Sequence, residues 1–288
     1  MHGTGVPLIT PFDEDGDVDE SRLRELLAWV QERGVDFLVP CGSNSEAELM
    51  SVEERARVTE IAVEEADVPV LAGTGHPGLR ETLRQTELAA EAGADAALVI
   101  TPFYFGHDEA TLEAYYREVA DESPIPVHLY SAPAYTGVKL SPEAVGRLAD
   151  HGNVAGMKDS SGDLTTLQRE RTRTENENFD LLVGSGSVYA HALASGADGG
   201  VLALANVAPR RASEIHRLHE TADDEQARQL NTLLVELNHA ITAKYGVPGL
   251  KAAMRERGAP AGYPRKPHRD VAEDAKDELA RLVESASP

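Results

Sequence analysis

The sequence predicts a (β/α)8 TIM barrel, an α/β fold, with a helical appendage at its C-terminal end. Short apolar runs alternate with helical stretches eight times. The runs are too uniformly apolar to face water, which marks parallel strands covered on both faces. Beyond about Ala222 the pattern becomes wholly helical. The chain therefore divides into a barrel over 1–222 and an appendage over 223–288 packed on it. A doubly wound open sheet uses the same alternation, but eight units without a helical interruption favour closure.

The elements follow from local pattern. Val6–Thr10 reads as the first strand, and Ser21–Arg33 as a helix with Leu23, Leu26, Leu27 and Val30 on one face. Phe37–Val39 is the second strand. Ser51 caps a helix over Val52–Ala66, with Glu54 completing an S-x-x-E capping box. Val68–Ala72 and Leu79–Ala92 form the next strand and helix, then Ala96–Ile100 and Asp108–Asp121. Pro126–Tyr130 precedes a helix opened by Ser141-Pro142, a cap followed by proline at the first helical position. Val154–Lys158 and Leu164–Glu175 make the sixth unit, Leu181–Val183 and Ser187–Ser195 the seventh, and Gly200–Ala205 with a helix after Pro209 the eighth. Asp224–Lys244, Pro248–Arg257 and Asp270–Glu284 are the appendage helices, with Gly258–Pro267 as a loop.

Composition bounds the function. The chain has 288 residues, 41% of them hydrophobic, enough for a sizeable core. No apolar run approaches the roughly 20 residues of a membrane span. The N-terminus lacks a basic segment followed by an apolar one, so the expected location is cytoplasmic. The single cysteine, Cys41, excludes an internal disulfide and a cysteine-cluster metal site. A net charge of −22 repels nucleic acid and anionic lipid. Only six of the 27 basic residues are lysines, and acidic residues are spread over nearly every helix. This reads as adaptation to a high-salt (halophilic) cytoplasm, with an ordinary acidic protein as the alternative.

In a barrel the active site lies where strands end and the following loops begin. Those ends collect Cys41-Gly42-Ser43-Asn44-Ser45-Glu46, Gly73-Thr74-Gly75, Thr101-Pro102-Phe103-Tyr104, Tyr130-Ser131-Ala132-Pro133, Lys158-Asp159, Gly184-Ser185-Gly186-Ser187 and Ala205-Asn206. Lys158 closes an otherwise apolar strand. It either reaches solvent or pairs with Asp159 or Asp163, or it is a Schiff-base amine in a desolvated site. One amine, two phenols and a set of hydroxyls on one rim suit carbonyl chemistry. Gly73-Thr74-Gly75-His76-Pro77-Gly78 spells a dinucleotide fingerprint, yet the acidic residue expected after the next strand is missing, and the glycines read better as a loop crossing the rim. His107, His128 and His151 show no ligand spacing, so no metal is expected at the site. His128 reads as a satisfied core residue and Cys41 as a small buried side chain.

Gly42-Ser43-Asn44-Ser45-Glu46, Thr101-Pro102-Phe103-Tyr104, Leu129-Tyr130-Ser131-Ala132-Pro133 before Thr136-Gly137, Gly156-Met157-Lys158-Asp159, Gly184 and Ala205-Asn206-Val207 together resemble the dihydrodipicolinate synthase/N-acetylneuraminate lyase family of class I aldolases. The match runs nearly end to end. The resemblance implies that Lys158 forms a Schiff base with pyruvate or another 2-oxo acid, without metal or nucleotide cofactor. It implies Tyr130 as the proton-transfer phenol and Ser43 as the relay hydroxyl. Tyr104 would reach a neighbouring subunit's site, which implies a homo-oligomer, a dimer or tetramer. Substrate contacts would come from Gly42, Asn44, Gly184 and Leu202, the Ser43 and Asn44 amides holding the carboxylate.

Departures from the family pattern sort its branches. Dihydrodipicolinate synthases place an arginine where this chain has Tyr135, and a phenol lacks the fixed charge of a carboxylate clamp. The Ser43-Asn44 pair and Lys158-Asp159-Ser160 look more like the 4-hydroxy-2-oxoglutarate and 2-keto-3-deoxy-sugar-acid aldolases. The expected reaction is reversible cleavage of a 4-hydroxy-2-oxo acid to pyruvate and an aldehyde in carbohydrate catabolism. Alternatives are condensation of pyruvate with aspartate semialdehyde for lysine biosynthesis, a deoxy-oxo-sugar-acid dehydratase, and a non-catalytic 2-oxo-acid sensor. Ser45 replaces the motif's glycine, so the loop backbone is expected to differ if that position needs positive φ.

Overall fold

The computed structural model describes residues 1–286. Eight strands form one parallel sheet: β1 (Gly3–Pro7), β2 (Phe37–Val39), β3 (Leu71–Gly73), β4 (Ala96–Ile100), β5 (Val127–Ser131), β6 (Val154–Asp159), β7 (Asp180–Val183) and β8 (Gly199–Val201). Their spatial order is β2-β1-β8-β7-β6-β5-β4-β3, and a single parallel bridge, Leu38 to Val70, joins the two ends. The ring is therefore a nearly closed (β/α)8 barrel.

The barrel helices are α1 (Glu20–Gln31), α2 (Val52–Glu64), α3 (Leu79–Ala92), α4 (Glu109–Glu122), α5 (Pro133–Thr136), α6 (Pro142–Ala149), α7 (Leu164–Thr174), α8 (Tyr189–Ala194), α9 (Leu204–Val207) and α10 (Pro209–Glu220). Side chains of Asp19, Ser51, Asp108, Ser141 and Asp163 cap α1, α2, α4, α6 and α7. Each such cap stabilises its helix by about 1 kcal/mol, and Ser51 with Glu54 forms the full capping box. Three more helices follow: α11 (Asp224–His239), α12 (Gly246–Glu256) and α13 (Glu273–Ser285).

Inside the ring, Phe37, Val39, Leu71, Leu98, Leu182 and Val201 pack together, with Tyr130 above them. Between ring and helices a second apolar cluster runs from Leu23 and Leu27 through Ile215 to Leu234, Leu250 and Leu279. The C-terminal helices thus pack into the same core as the barrel. No helix among the described residues is long and apolar enough to cross a membrane.

Three expectations shift. The first strand begins at Gly3, not Val6, because its opening residues must be small: a Cβ on Gly5 would overlap the Phe37 ring. The eighth strand ends at Val201, and the segment expected to continue it turns into α9. There Asn206, fully buried, donates to the Pro7 carbonyl (2.8 Å) and accepts from the Ile9 amide (3.3 Å), pinning a turn. The long helix expected over Asp224–Lys244 stops at His239 and continues as a wide π-turn, Ala240–Lys244. Such turns are frequent at functional sites.

Candidate active site

Parallel pairing sets the first contact. Tyr130 on β5 is in register with Lys158 on β6, which is in register with Leu182 on β7. Paired residues project from the same face of a sheet, so Tyr130 and Lys158 enter the barrel side by side. The Lys158 Nζ lies 4.2 Å from the centre of the Tyr130 ring, and Lys158 is only 5% exposed. The bland reading of this lysine, a head group in solvent, is therefore excluded. Asp159 points the other way and is held by the Ser161 amide (2.9 Å) and hydroxyl (2.7 Å). Asp163 caps α7 and pairs with Lys139, so neither acid neutralises Lys158 by direct contact.

The Tyr130 hydroxyl meets the Ser43 hydroxyl at 3.5 Å. Burial pushes the Tyr130 phenol up, but the Lys158 charge and hydrogen bonds with Ser43, Ser160 and Lys158 outweigh it, and the phenol sits below its ordinary value. A phenol that releases its proton more readily, beside an amine, suits proton transfer at a carbonyl.

Ser43 stands on a one-turn 3₁₀ helix, Ser43–Ser45, that follows extended Gly42. The first amides of such a turn lack partners within it, so those of Ser43 and Asn44 are available to a carboxylate. The backbone is left-handed at Glu46 (φ 56°) and Cys41 (φ 57°), and not at Ser45. Ser45 therefore fits without strain, and its hydroxyl donates to the Leu8 carbonyl. The Glu46 carboxylate forms a buried ion pair with Lys251 of α12 and also accepts from the Arg265 amide (2.8 Å). The His268 Nδ1 lies 3.0 Å from the same carboxylate. Lys251 further donates to the carbonyls of Thr10 (2.7 Å) and Tyr263 (2.8 Å). This network ties the loop to the C-terminal segment.

Above Tyr130 opens a cavity of about 580 Å³. Gly42, Ser43, Tyr130 and Tyr135 line it, as do several residues that sequence reasoning did not single out: Glu48, Arg55, Thr242 and Tyr245. Arg55 is buried and its guanidinium donates to the carbonyls of Gly73 (3.0 Å) and Gly75 (3.4 Å). The fingerprint-like glycines are thus a fastened rim loop. A side chain on Gly75 would meet the Ile100 backbone nitrogen at 2.5 Å.

Other expected residues lie elsewhere. Tyr104 is 88% exposed, does not line the cavity, and has a left-handed backbone (φ 77°). Its ring packs edge-on against exposed Phe105 at 5.0 Å. Gly184 sits beyond β7, its amide donating to the Asp159 carbonyl (2.6 Å), and any side chain there would strike the Ser160 hydroxyl. Leu202 is fully buried at the end of β8 and, like Asn44, Gly184 and Lys158, is not among the cavity-lining residues. Cys41 is buried, as expected. His128 is satisfied on one side only: Nε2 reaches Asp180 (3.0 Å), while buried Nδ1 has no partner among the described residues.

Residues 1–286 match the sequence profile of the dihydrodipicolinate synthetase family. A 4-hydroxy-tetrahydrodipicolinate synthase of Methanothrix thermoacetophila is 38% identical over 287 residues, covering 100% of this chain and 97% of its own. A DapA-like lyase of Halobacterium salinarum is 36% identical, over 97% of this chain and 92% of its own. Among solved structures, a dihydrodipicolinate synthase of Acinetobacter baumannii in complex with pyruvate superposes with a TM-score of 0.95 at 31% identity, covering 99% of this chain and 98% of that one.

Proposed function

The chain belongs to the dihydrodipicolinate synthetase family, pyruvate-dependent lyases and synthases that work through a lysine Schiff base without a metal, and from that premise we propose that Lys158 is its Schiff-base lysine. The observation that carries this reading is the buried Lys158 amine lying against the Tyr130 ring, whose hydroxyl reaches Ser43. The Lys158 amine adds to the C2 ketone of a 2-oxo acid, and loss of water leaves an iminium. The C4 hydroxyl gives its proton to Tyr130, with Ser43 relaying it. The C3–C4 electrons flow into the iminium, an aldehyde leaves, and protonation at C3 followed by hydrolysis releases pyruvate. The Ser43 and Asn44 amides hold the carboxylate beside Gly42, while Gly184 and Leu202 act from behind the cavity wall.

For the second substrate we propose the aldehyde of a 4-hydroxy-2-oxo acid, such as a 2-keto-3-deoxy sugar acid. Tyr135, Thr136, Thr242 and Tyr245 line the cavity with hydroxyls, which suit a hydroxylated tail. The second reading is 4-hydroxy-tetrahydrodipicolinate synthase, which the name of the Methanothrix relative favours. Against it stands Tyr135 in place of the carboxylate-binding arginine.

Borohydride treatment with pyruvate, followed by peptide mass spectrometry, tests the chemistry. The expected adduct is on Lys158; an adduct on Lys139 or Lys251, or none, removes the assignment. Assaying cleavage of 2-keto-3-deoxygluconate and condensation with aspartate semialdehyde side by side decides between the two readings.

A further inference from the structure

At the opposite end of the barrel from Lys158, α10 runs beside the start of β1. His216 and Glu220 lie four residues apart on α10 and so share one face. His216 is only 5% exposed, yet neither ring nitrogen makes a hydrogen bond among the described residues. Its nearest carboxylate oxygen, from Glu220, is 3.7 Å from Nδ1. The His2 ring stands edge-on to it, centroids 4.8 Å apart. An imidazole that makes no hydrogen bond keeps its ring nitrogens free to ligate a cation.

The surrounding charges narrow the ligand set. Asp36 already accepts the Thr4 amide at 2.6 Å, and the His219 Nδ1 lies 2.7 Å from Asp224. That leaves one donor atom each from His2, His216 and Glu220, all within 4.8 Å of one another. Ligands about 2.0–2.2 Å from a tetrahedral zinc lie roughly 3.5 Å apart, so the three must draw together by about 1 Å. His2 and Glu220 are exposed and free to swing, while buried His216 provides the fixed point.

We propose that His2, His216 and Glu220 bind a borderline divalent cation of the zinc type, with water completing the shell. Two imidazoles and a carboxylate suit zinc, nickel or cobalt better than calcium or magnesium. The ion would fasten the residue before β1 to the end of α10. Its place at the N-terminal face of the barrel makes it structural, outside the reaction at Lys158.

The test uses untagged full-length protein, freed of metal with a chelator and titrated calorimetrically with zinc. One zinc per chain is expected, with a zinc-dependent rise in melting temperature. His2→Ala and Glu220→Gln should each weaken binding by at least about tenfold and abolish that rise. Both positions are exposed, so both variants should fold and keep wild-type turnover. Absence of zinc binding, or binding that survives both substitutions unchanged, overturns the site.

Discussion

At the scale of single residues, Tyr130 links the amine to the substrate loop. Tyr130→Phe keeps the ring against Lys158 and removes only the hydroxyl that meets Ser43. We expect kcat to fall by about 10²–10⁴-fold, as for loss of a general acid–base group, with the pyruvate adduct on Lys158 still trappable. Turnover within a few-fold of wild type would remove Tyr130 from proton transfer. Lys158 and Tyr130 could be found in the sequence because each is a polar residue ending an apolar strand. Arg55 could not, because it reads as one more arginine on the outer face of a helix. Its burial depends on the Gly73–Gly75 loop folding over it, a contact that no local pattern announces. Ser45 carries the opposite lesson: the left-handed conformation falls on Glu46, one residue later than the substitution suggested.

At the scale of elements, α7 holds an acid that the proposed reaction does not use. Glu170 on α7 is fully buried, and neither carboxyl oxygen has a hydrogen-bond partner among the described residues. Burial first, and then the nearby Asp159 charge, push its pKa from 4.5 up to about 9. The folded chain therefore keeps this proton between those two values, while the unfolded chain releases it. Stability from this group is present below about pH 4.5 and is lost as pH rises through about 9. Glu170→Gln should flatten the fall in melting temperature between about pH 5 and pH 9 relative to wild type. Parallel melting curves with equal slopes would show that Glu170 does not hold the proton. Element boundaries were legible where caps or bulky apolar runs mark them: α3, β2 and β4 lie where the pattern puts them. They were least legible at β1 and β8, where Gly3 pairs with Gly199 and Thr4 with Gly200. Periodicity cannot register a strand whose residues are chosen for lack of bulk.

At the scale of the whole molecule, Tyr104 and Phe105 stand out from a surface otherwise rich in charge. Two adjacent exposed aromatic rings favour association, and we propose that Tyr104 completes the relay of Tyr130 and Ser43 in a neighbouring subunit. Its left-handed backbone is the kind of strain that functional positions retain. Tyr104→Phe should cost about 10²–10⁴-fold in kcat. Mixing it with inactive Lys158→Ala protein should restore activity, since one site can then combine an intact lysine with an intact neighbouring tyrosine. A mixture that stays inactive despite demonstrated subunit exchange would refute the shared relay. The acidic charge is partly organised: Arg57 pairs with Glu20 and Glu60, and Arg147 with Glu109 and Glu113. Such exposed pairs contribute little singly, so the surplus of acid fits the proposed salt-rich setting more than it explains stability. Fold class was readable because eight repeats over-determine it; the proposed subunit sharing was readable only through the family resemblance, because one chain carries only half of such a contact.

The ring closes at one bridge, between Leu38 and Val70, with the amides of Leu38 and Gly73 donating to the carbonyls of Pro69 and Pro40 across the joint. This joint lies directly below the Ser43 turn and the Gly73–Gly75 loop. Mechanically the barrel is a hoop whose clasp sits under its own mouth. With one residue pair against two to five at the other seams, this clasp is where we expect the mouth to yield first, while the stave bearing Lys158 keeps its register with Tyr130 and Leu182.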